Sequence, residues 1–288
     1  MSLKGKLVSG KFVVIAELQP PKGNQTSELM EQAEILRDRV DAVSVPDLQN
    51  AIMRLGSLSV CTLLKGKGID PIFNLSCRHR NRLALQSDLL NASALGLENI
   101  LVLQGDDPSL GDHYEATPVL DMDLLGLLEA TQQLREGRDL AGHELIGKPT
   151  FTLGTQIKSG PLGQGLDLDD VEKKVRWGVD FFFTNSFFDP ALFQTFAEKV
   201  MPFKVPLIAG ITLLKSVGMA RYISKHVEGT FVPESIIDGL MKASDKQRAS
   251  VDIAGNLIKA IRPFCQGIHL IPLGWENQIP AVLDHGGL

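Results

Sequence analysis

Asn99-Ile-Leu-Val-Leu-Gln-Gly-Asp-Asp-Pro108 decides the fold prediction for this chain. The five residues from Asn99 have the composition of a buried strand, and Gly105 interrupts the chain soon afterwards. A short apolar run followed by glycine is typical of a parallel strand that is covered on both faces. Because ligands bind at the carboxyl ends of parallel strands, Asp106 and Asp107 lie where chemistry is expected. As an isolated motif, however, Asp-Asp-Pro is better explained as a turn, and Asp107 is assigned to that turn.

Seven further short apolar runs flank this strand, and helical patterns separate them. The other expected strands are Phe12–Ala16, Asp41–Val45, Pro71–Cys77, Pro149–Gly154, Val179–Thr184, Pro206–Ile211 and Gly267–Ile271. The expected helices are one capped by Thr26 or Ser27, then 51–64, 81–95, 120–138, 167–177, one from Pro190, 217–226, 234–241, 245–261 and a short one from Trp275. This alternation predicts an α/β fold, a (β/α)8 TIM barrel formed as a single domain by residues 1–288. An open doubly wound sheet is the alternative, but eight evenly spaced strand–helix units favour closure into a barrel.

Composition excludes several classes of protein. Apolar residues make up 44% of the chain, which is ample for a core, and the net charge of −5 argues against a nucleic-acid-binding surface. No segment is apolar for long enough to cross a bilayer, and the first residues lack the apolar centre of a signal peptide. Cys61, Cys77 and Cys265 are scattered, as is typical of reduced thiols in a cytoplasm.

The sequence motifs typical of phosphate binding, metal binding and serine hydrolases are incomplete or absent. Gly142–Lys148 matches the start of a phosphate-binding loop, but Pro149 stands where Ser or Thr would hold magnesium. Gly160–Gly165 has the glycines of a dinucleotide fingerprint in the wrong order. The six histidines show no ligand spacing, so no metal site is expected, and the G-x-S-x-G motif of hydrolases is absent.

Polar side chains follow most of the expected strands and would share one face of a barrel. They are Glu17, Pro46 with Asp47, Asn74 with Ser76, Gln104–Asp107, Thr155 with Gln156, Asn185 and Lys215. Carboxylates and amides dominate this face, which suits an uncharged heterocycle better than a phosphorylated sugar. Glu17 and Asp106 are the best catalytic candidates, because two carboxylates in different environments can serve as an acid and as a permanent charge.

Three motifs resemble those of the methylenetetrahydrofolate reductase family. Glu17-Leu-Gln-Pro-Pro-Lys22 resembles the family's E-x-x-P-P-K, Leu103–Asp106 resembles its L-R-G-D, and Thr184–Asp189 resembles its T-Q-F-F-F-D. The resemblance extends from about Phe12 to Leu283. It implies a (β/α)8 flavoprotein that uses FAD to reduce 5,10-methylenetetrahydrofolate to 5-methyltetrahydrofolate, with NADH, NADPH or a reducing partner protein as electron source.

The resemblance also implies roles for individual residues. Glu17 matches the general acid, Asp106 the carboxylate near flavin and pterin, and Asn185 a folate contact. The positions implied to bind FAD are Asn74, Leu103, Gln104, Gly105, Asp106, Thr117, Asp167, Asp170, Lys173 and Lys174. The chain departs from the family pattern at Pro46 (usually Thr), Asn74 (His), Gln104 (Arg), Asn185 (Gln) and Gly274-Trp275 (Asn-Arg).

Two other functions remain open from the sequence. One is a barrel methyltransferase that binds a folate or pterin without flavin. The other is a flavin subunit that depends on a partner and has no nicotinamide site of its own. For the reductase we expect a cytoplasmic homo-oligomer in one-carbon metabolism, linked to methionine biosynthesis, with no nucleic-acid or membrane partner.

Overall fold

Eight parallel strands pair in sequence order, and the eighth pairs with the first to close a barrel. The computed structural model describes residues 1–288. The strands are β1 Val13–Glu17, β2 Ala42–Val45, β3 Pro71–Ser76, β4 Asn99–Leu103, β5 Thr152–Ile157, β6 Phe181–Ser186, β7 Leu207–Thr212 and β8 Gly267–Ile271. The predicted (β/α)8 barrel is therefore confirmed.

Eleven α-helices accompany the strands; α1 precedes β1, and the others follow strands and surround the barrel. They are α1 Leu3–Val8, α2 Ser27–Leu36, α3 Ser57–Gly66, α4 Arg82–Ala94, α5 Leu124–Glu136, α6 Leu168–Arg176, α7 Pro190–Val200, α8 Val217–His226, α9 Glu234–Lys242, α10 Lys246–Ile261 and α11 Ile279–Gly286. A cluster of 52 buried apolar residues fills the space between strands and helices. Since helices cover the outer face and side chains fill the inner one, the strands are apolar on both faces.

Helix α1 closes the amino-terminal end of the barrel, although the sequence pattern assigned no element there. Leu3 and Leu7 are buried in the same cluster as the inward-facing Val13 and Ile15. Ser2 caps the helix by accepting a hydrogen bond from the Gly5 N–H. The chemistry of the site is therefore confined to the opposite, carboxyl-terminal mouth of the barrel.

Several predicted boundaries were wrong. Strand β5 begins at Thr152, three residues after the expected Pro149, so Thr155 and Gln156 lie within the strand and do not follow it. Helix α3 begins at Ser57 because residues before it adopt left-handed backbone conformations. Helix α5 begins at Leu124, where the Asp123 carboxylate caps it. Thr26 occupies the cap position of α2, but its side chain makes no capping hydrogen bond.

Candidate active site

Glu17 ends β1 and lies buried at the mouth of the barrel. It follows Val13 and Ile15 at two-residue steps and therefore points to the same inward side. Burial raises the pKa of its carboxyl to about 7, an interaction with the Gln49 side chain lowers it, and the nearby Glu276 carboxylate raises it. A carboxyl with this pKa is protonated in about half of the molecules at pH 7, so it can donate a proton near neutral pH.

His269 is the nearest basic group to Glu17. It lies on β8 beside Ile15, and its Nε2 is 3.7 Å from the Glu17 Oε2. Burial lowers the pKa of the imidazole to about 3, so the ring is neutral near pH 7. Its Nε2 has no hydrogen-bond partner, which leaves a buried polar atom facing the site. His269 was not among the site residues predicted from the sequence, although a lone histidine at an inward position of an apolar strand was the available signal.

Asp106 lies on the loop after β4 and is exposed. Its Oδ2 accepts a hydrogen bond of 2.7 Å from the Asn50 N–H, on the loop after β2. Gly105 has a φ of +81°, and a Cβ there would lie 2.8 Å from the Ser76 Cβ. Only glycine fits this turn, which carries Asp106 over the neighbouring strand. Asp107 instead accepts hydrogen bonds from Ser109, as expected of a turn residue.

The strained segment Leu48–Ala51 connects the two predicted catalytic carboxylates. Leu48, Asn50 and Ala51 have φ values of 49°, 57° and 54°. Within this segment Gln49 interacts with Glu17, and the Asn50 N–H binds Asp106. Left-handed non-glycine residues are energetically unfavourable, and they cluster at functional sites where the surrounding structure imposes them.

A cavity of about 210 Å³ lies between the loops after β2, β3 and β4. Its wall is formed by Leu48, Ala51, Ile52, Met53, His79, Pro108, His113, Ala116 and Thr117. Thr117, one of the predicted cofactor residues, is therefore part of this wall. Because Asn50 lies between Leu48 and Ala51, its hydrogen bond places the Asp106 carboxylate next to the cavity.

Three other predicted cofactor residues are not part of this wall, and their contacts are with other parts of the protein. Asn74 is buried and accepts a hydrogen bond of 3.1 Å from the Ser44 hydroxyl. The Gln104 Oε1 accepts the Leu124 N–H at 3.0 Å and so caps α5. Leu103 packs against the inner apolar cluster of the barrel.

The remaining four predicted cofactor residues belong to α6 and its cap, with Asp167 and Asp170 at the amino-terminal end and Lys173 and Lys174 in the last turn. Asp167 caps the helix by accepting the Asp170 N–H. The Lys174 Nζ is 2.6 Å from the Asp170 Oδ2 and also donates to the Gln156 carbonyl at 2.9 Å. Lys174 is buried, whereas Lys173 is exposed. Only Lys173 presents an uncommitted cation to solvent.

Asn185 lies in a bulge of β6 and binds neighbouring loops. Its Oδ1 accepts the Ser159 N–H at 2.9 Å, and its Nδ2 donates to the Gly229 carbonyl at 2.7 Å. The register shift pairs Ser186 with Gly210 on β7, so Ser186 takes the inward place that regular alternation assigns to Asn185. The Ser186 hydroxyl lies 2.6 Å from that of Thr212.

Comparison with known proteins identifies the family. A model of the methylenetetrahydrofolate reductase family matches residues 2–287. The chain belongs to the methylenetetrahydrofolate reductase family. The resemblance that the three sequence motifs predicted is therefore confirmed.

Two relatives from this family are similar to the chain over about three quarters of its length. The chain is 24% identical over 241 residues to methylenetetrahydrofolate reductase 2 of Schizosaccharomyces pombe, a match that covers 76% of the chain and 36% of the relative. It is 26% identical over 230 residues to a probable methylenetetrahydrofolate reductase (NADPH) of Caenorhabditis elegans, covering 77% and 33%. The chain thus spans about a third of the length of these relatives.

A solved structure shares the fold. An uncharacterized protein from Clostridium thermocellum that binds two copies of 5-methyl-5,6,7,8-tetrahydrofolic acid superposes with a TM-score of 0.64 and 16% identity, covering 99% of this chain and 97% of that one. In the present structure no helix has the length and apolarity to cross a membrane. No group of three or more His, Cys, Asp or Glu side chains is arranged to hold a metal ion.

Proposed function

We propose that this chain reduces 5,10-methylenetetrahydrofolate to 5-methyltetrahydrofolate by hydride transfer from reduced FAD. The observation that carries the proposal is the buried Glu17 carboxyl, with a pKa of about 7, in a chain of the methylenetetrahydrofolate reductase family. A reductase acting on this folate needs a proton donor that is still protonated at neutral pH.

Glu17 acts as the acid. Its proton passes to an amine nitrogen of the five-membered ring of the substrate, and the ring opens to a cationic iminium. The neutral His269 beside it adds no positive charge that would oppose this cation. Its unpaired Nε2, 3.7 Å from the carboxyl, can hydrogen-bond to the carboxyl or to the substrate.

Asp106 supplies the permanent charge. The Asn50 N–H holds its carboxylate at the edge of the cavity, where it faces a cation that develops on the substrate. A fixed negative charge of this kind stabilises the iminium without any rearrangement of the protein during the reaction.

The residues at the cavity fit part of FAD. The cavity of about 210 Å³ is smaller than the roughly 300–1,000 Å³ typical of ligand pockets, so it suits a ring system and leaves the remainder of a dinucleotide outside. Lys173 is available to a diphosphate, whereas Lys174 is bound to Gln156 and Asp170. When bound, FAD supplies the hydride, and the protein supplies position and charge.

The absorbance spectrum of the purified protein tests this proposal. We expect a flavin spectrum near stoichiometry that NADH or NADPH bleaches, and reoxidation when methylenetetrahydrofolate is added. Glu17→Gln should keep the bleaching and lose the reoxidation by folate. Folate binding without flavin would favour the methyltransferase, and bound flavin that neither nucleotide reduces would favour a subunit that requires a reducing partner.

Lys173→Ala and Lys174→Ala separate the two lysines of α6. We expect Lys173→Ala to weaken FAD binding at unchanged stability, because only its ammonium is free. Lys174→Ala should instead destabilise the protein, because it leaves the Gln156 carbonyl without its partner. Equal FAD affinity in Lys173→Ala and the unmodified protein would remove Lys173 from the cofactor site.

We also propose a cytoplasmic homo-oligomer that serves one-carbon metabolism and methionine biosynthesis. The three cysteines are free and buried, and burial raises the pKa of each thiol, so none is poised to form a disulfide. Light scattering of the purified protein, with and without reductant, would test both the oligomer and the absence of disulfide links.

A further inference from the structure

One histidine of the cavity wall contains a buried ring nitrogen without a hydrogen-bond partner. His79 lies just after β3, at the end of a short 3₁₀ turn, and forms part of the wall of the cavity of about 210 Å³. Its Nε2 is buried and unpaired. Burial also lowers the pKa of the imidazole from its usual 6.5, so the ring is mostly neutral at pH 7. A neutral imidazole has one nitrogen that donates a hydrogen bond and one that accepts it.

Contacts on both sides of His79 hold it in the wall. The Arg80 guanidinium binds both oxygens of the buried Asp47 carboxylate, at 2.7 and 3.0 Å, just after β2. On the other side, the Arg78 carbonyl accepts the Val119 N–H from the loop after β4 at 2.9 Å. Because the backbone around His79 is fixed at two points, rotation of the ring about the Cβ–Cγ bond is the main freedom left to it.

The second histidine of the wall already has a partner. The His113 Nδ1 lies 2.9 Å from the Asp112 Oδ1, and the side chain is exposed to water. The Asp112 carboxylate also binds the Lys22 ammonium and accepts the Met53 N–H at 3.0 Å. Of the two imidazoles, His79 is therefore the one with a buried nitrogen whose hydrogen bond a ligand has to supply.

The remainder of the wall suits a planar ring. Leu48, Ile52 and Pro108 are among the apolar residues that form it. An apolar pocket with a few polar groups is the usual arrangement for a small ligand, and the polar groups fix its orientation. The Asp106 carboxylate is close enough to influence the imidazole of His79. A heterocycle with neighbouring N–H and acceptor atoms on its edge therefore finds an acceptor in Asp106 and a donor in His79.

We propose that His79 determines the specificity of this cavity by hydrogen bonding to the edge of a nitrogen heterocycle. The inference rests on the proposed function, because FAD carries two such rings, the isoalloxazine and the adenine. Either ring supplies the partner that the buried Nε2 lacks, so the free-energy cost of an unpaired polar atom is removed in the complex. A ring of the same size without nitrogen or oxygen atoms leaves that cost in place and binds more weakly.

Titration of FAD into flavin-free protein tests the contact, with flavin fluorescence as the measurement. Phenylalanine keeps a flat ring in the wall but removes both nitrogens, whereas the amide N–H of glutamine reaches about as far as Nε2. We expect His79→Phe to raise the Kd for FAD about tenfold, as for the loss of one hydrogen bond at a buried site, and His79→Gln to recover most of the affinity. His143→Phe, at an exposed position, is the control and should leave the Kd unchanged.

An unchanged Kd for FAD in His79→Phe would overturn the assignment and leave the proposed function intact. If the phenyl ring prevents folding, as judged by circular dichroism, His79→Ala takes its place with the same expected rise. FAD binding that depends on His79, without reduction of methylenetetrahydrofolate by the unmodified protein, would contradict the proposed function and leave the contact standing.

Titrations with riboflavin and with ADP show which ring of FAD occupies the cavity. If the isoalloxazine lies there, His79→Phe should weaken riboflavin binding about tenfold and leave ADP binding unchanged. If the adenine lies there, the two results should be exchanged. Affinities for both probes that do not differ between His79→Phe and the unmodified protein would overturn the inference.

Discussion

The Glu17 carboxyl and the His269 imidazole are two buried ionisable groups 3.7 Å apart, and neither needs to be charged at neutral pH. Burial raises the pKa of the carboxyl to about 7 and lowers that of the imidazole to about 3, because removal from water disfavours the charged form of each. The proton therefore stays on Glu17 up to neutral pH. A general acid requires this state of protonation.

Glu17→Gln is expected to change how stability depends on pH. The carboxyl has a pKa near 4.5 in a solvated chain and about 7 here, so its protonated form stabilises the fold. That contribution is fully present below pH 4.5 and is lost as the pH rises through 7. Above pH 7 the glutamine variant should be more stable than the unmodified protein by about 3 kcal/mol.

Urea unfolding at mildly acidic and mildly alkaline pH measures this difference. Glu28→Gln, at an exposed position of α2, is the control and should change stability little at either pH. A Glu17→Gln effect of the same size at both pH values would contradict the raised pKa of the carboxyl.

Asp106→Asn tests the permanent charge at the cavity. The asparagine oxygen can still accept the Asn50 N–H, so the loop should keep its conformation while the negative charge disappears. We expect kcat for folate reduction to fall by roughly 10²-fold, the size seen when one preorganised electrostatic contact is removed. Asp107→Asn, one residue further along the same turn, should retain most of the activity. Equal kcat values in the two variants would argue against a catalytic charge at Asp106.

Helix α1 shows how a short element can be stable when its partner is the barrel itself. Six residues are too few for an isolated helix, yet Leu3 and Leu7 are buried against inward-facing strand residues. Lys6 adds an ion pair with Asp41, which also accepts the Val14 N–H at the start of β1. Tertiary contact therefore provides most of the stability of this helix.

Leu7→Ala and Val8→Ala compare two adjacent positions of α1. Leu7 is 5% exposed and Val8 is 81% exposed, so only the first change leaves a cavity under the barrel. We expect Leu7→Ala to lower the free energy of unfolding by about 3 kcal/mol and Val8→Ala to change it by less than about 0.5 kcal/mol. Chemical denaturation followed by circular dichroism measures both. Similar losses would mean that α1 does not pack as described.

In the molecule as a whole, α8 and α9, the first two of the three helices between β7 and β8, are set apart from the main core. Six buried residues under α8 and α9 form a cluster separate from the 52-residue cluster that packs most of the helices on the barrel. A small separate cluster costs less free energy to open than the barrel does. The mouth of the barrel beside Lys215 is thus bordered by helices that pack through this smaller cluster.

Hydrogen exchange should reveal this difference. We expect the amides of α8 and α9 to exchange faster than those of α10, which packs into the main core. Mass spectrometry of exchanged peptides measures the rates. Equal protection of α8 and α10 would show that the two clusters open together.

The local pattern of apolar and polar residues in the sequence was sufficient to predict the alternation of strands and helices around the barrel. Strands β4 and β8 and helix α8 have the predicted bounds, because apolar runs and helical periodicity are properties of neighbouring residues. The start of α3 was wrong because Leu48–Ala51 adopts conformations that its residue types do not favour. Contacts with other loops, such as the Asn50 hydrogen bond to Asp106, accompany those conformations.

The sequence alone determined the barrel, the family and the position of Glu17 and Asp106 at the ends of β1 and β4, since these depend on order along the chain. Tertiary structure decided the roles that depend on neighbours in space. It placed His269 beside Glu17, turned Asn185 towards Ser159 through a bulge, and bound Lys174 to a carbonyl. Burial and hydrogen-bond partners set these roles, and both come from segments far apart in the sequence, which no local pattern encodes.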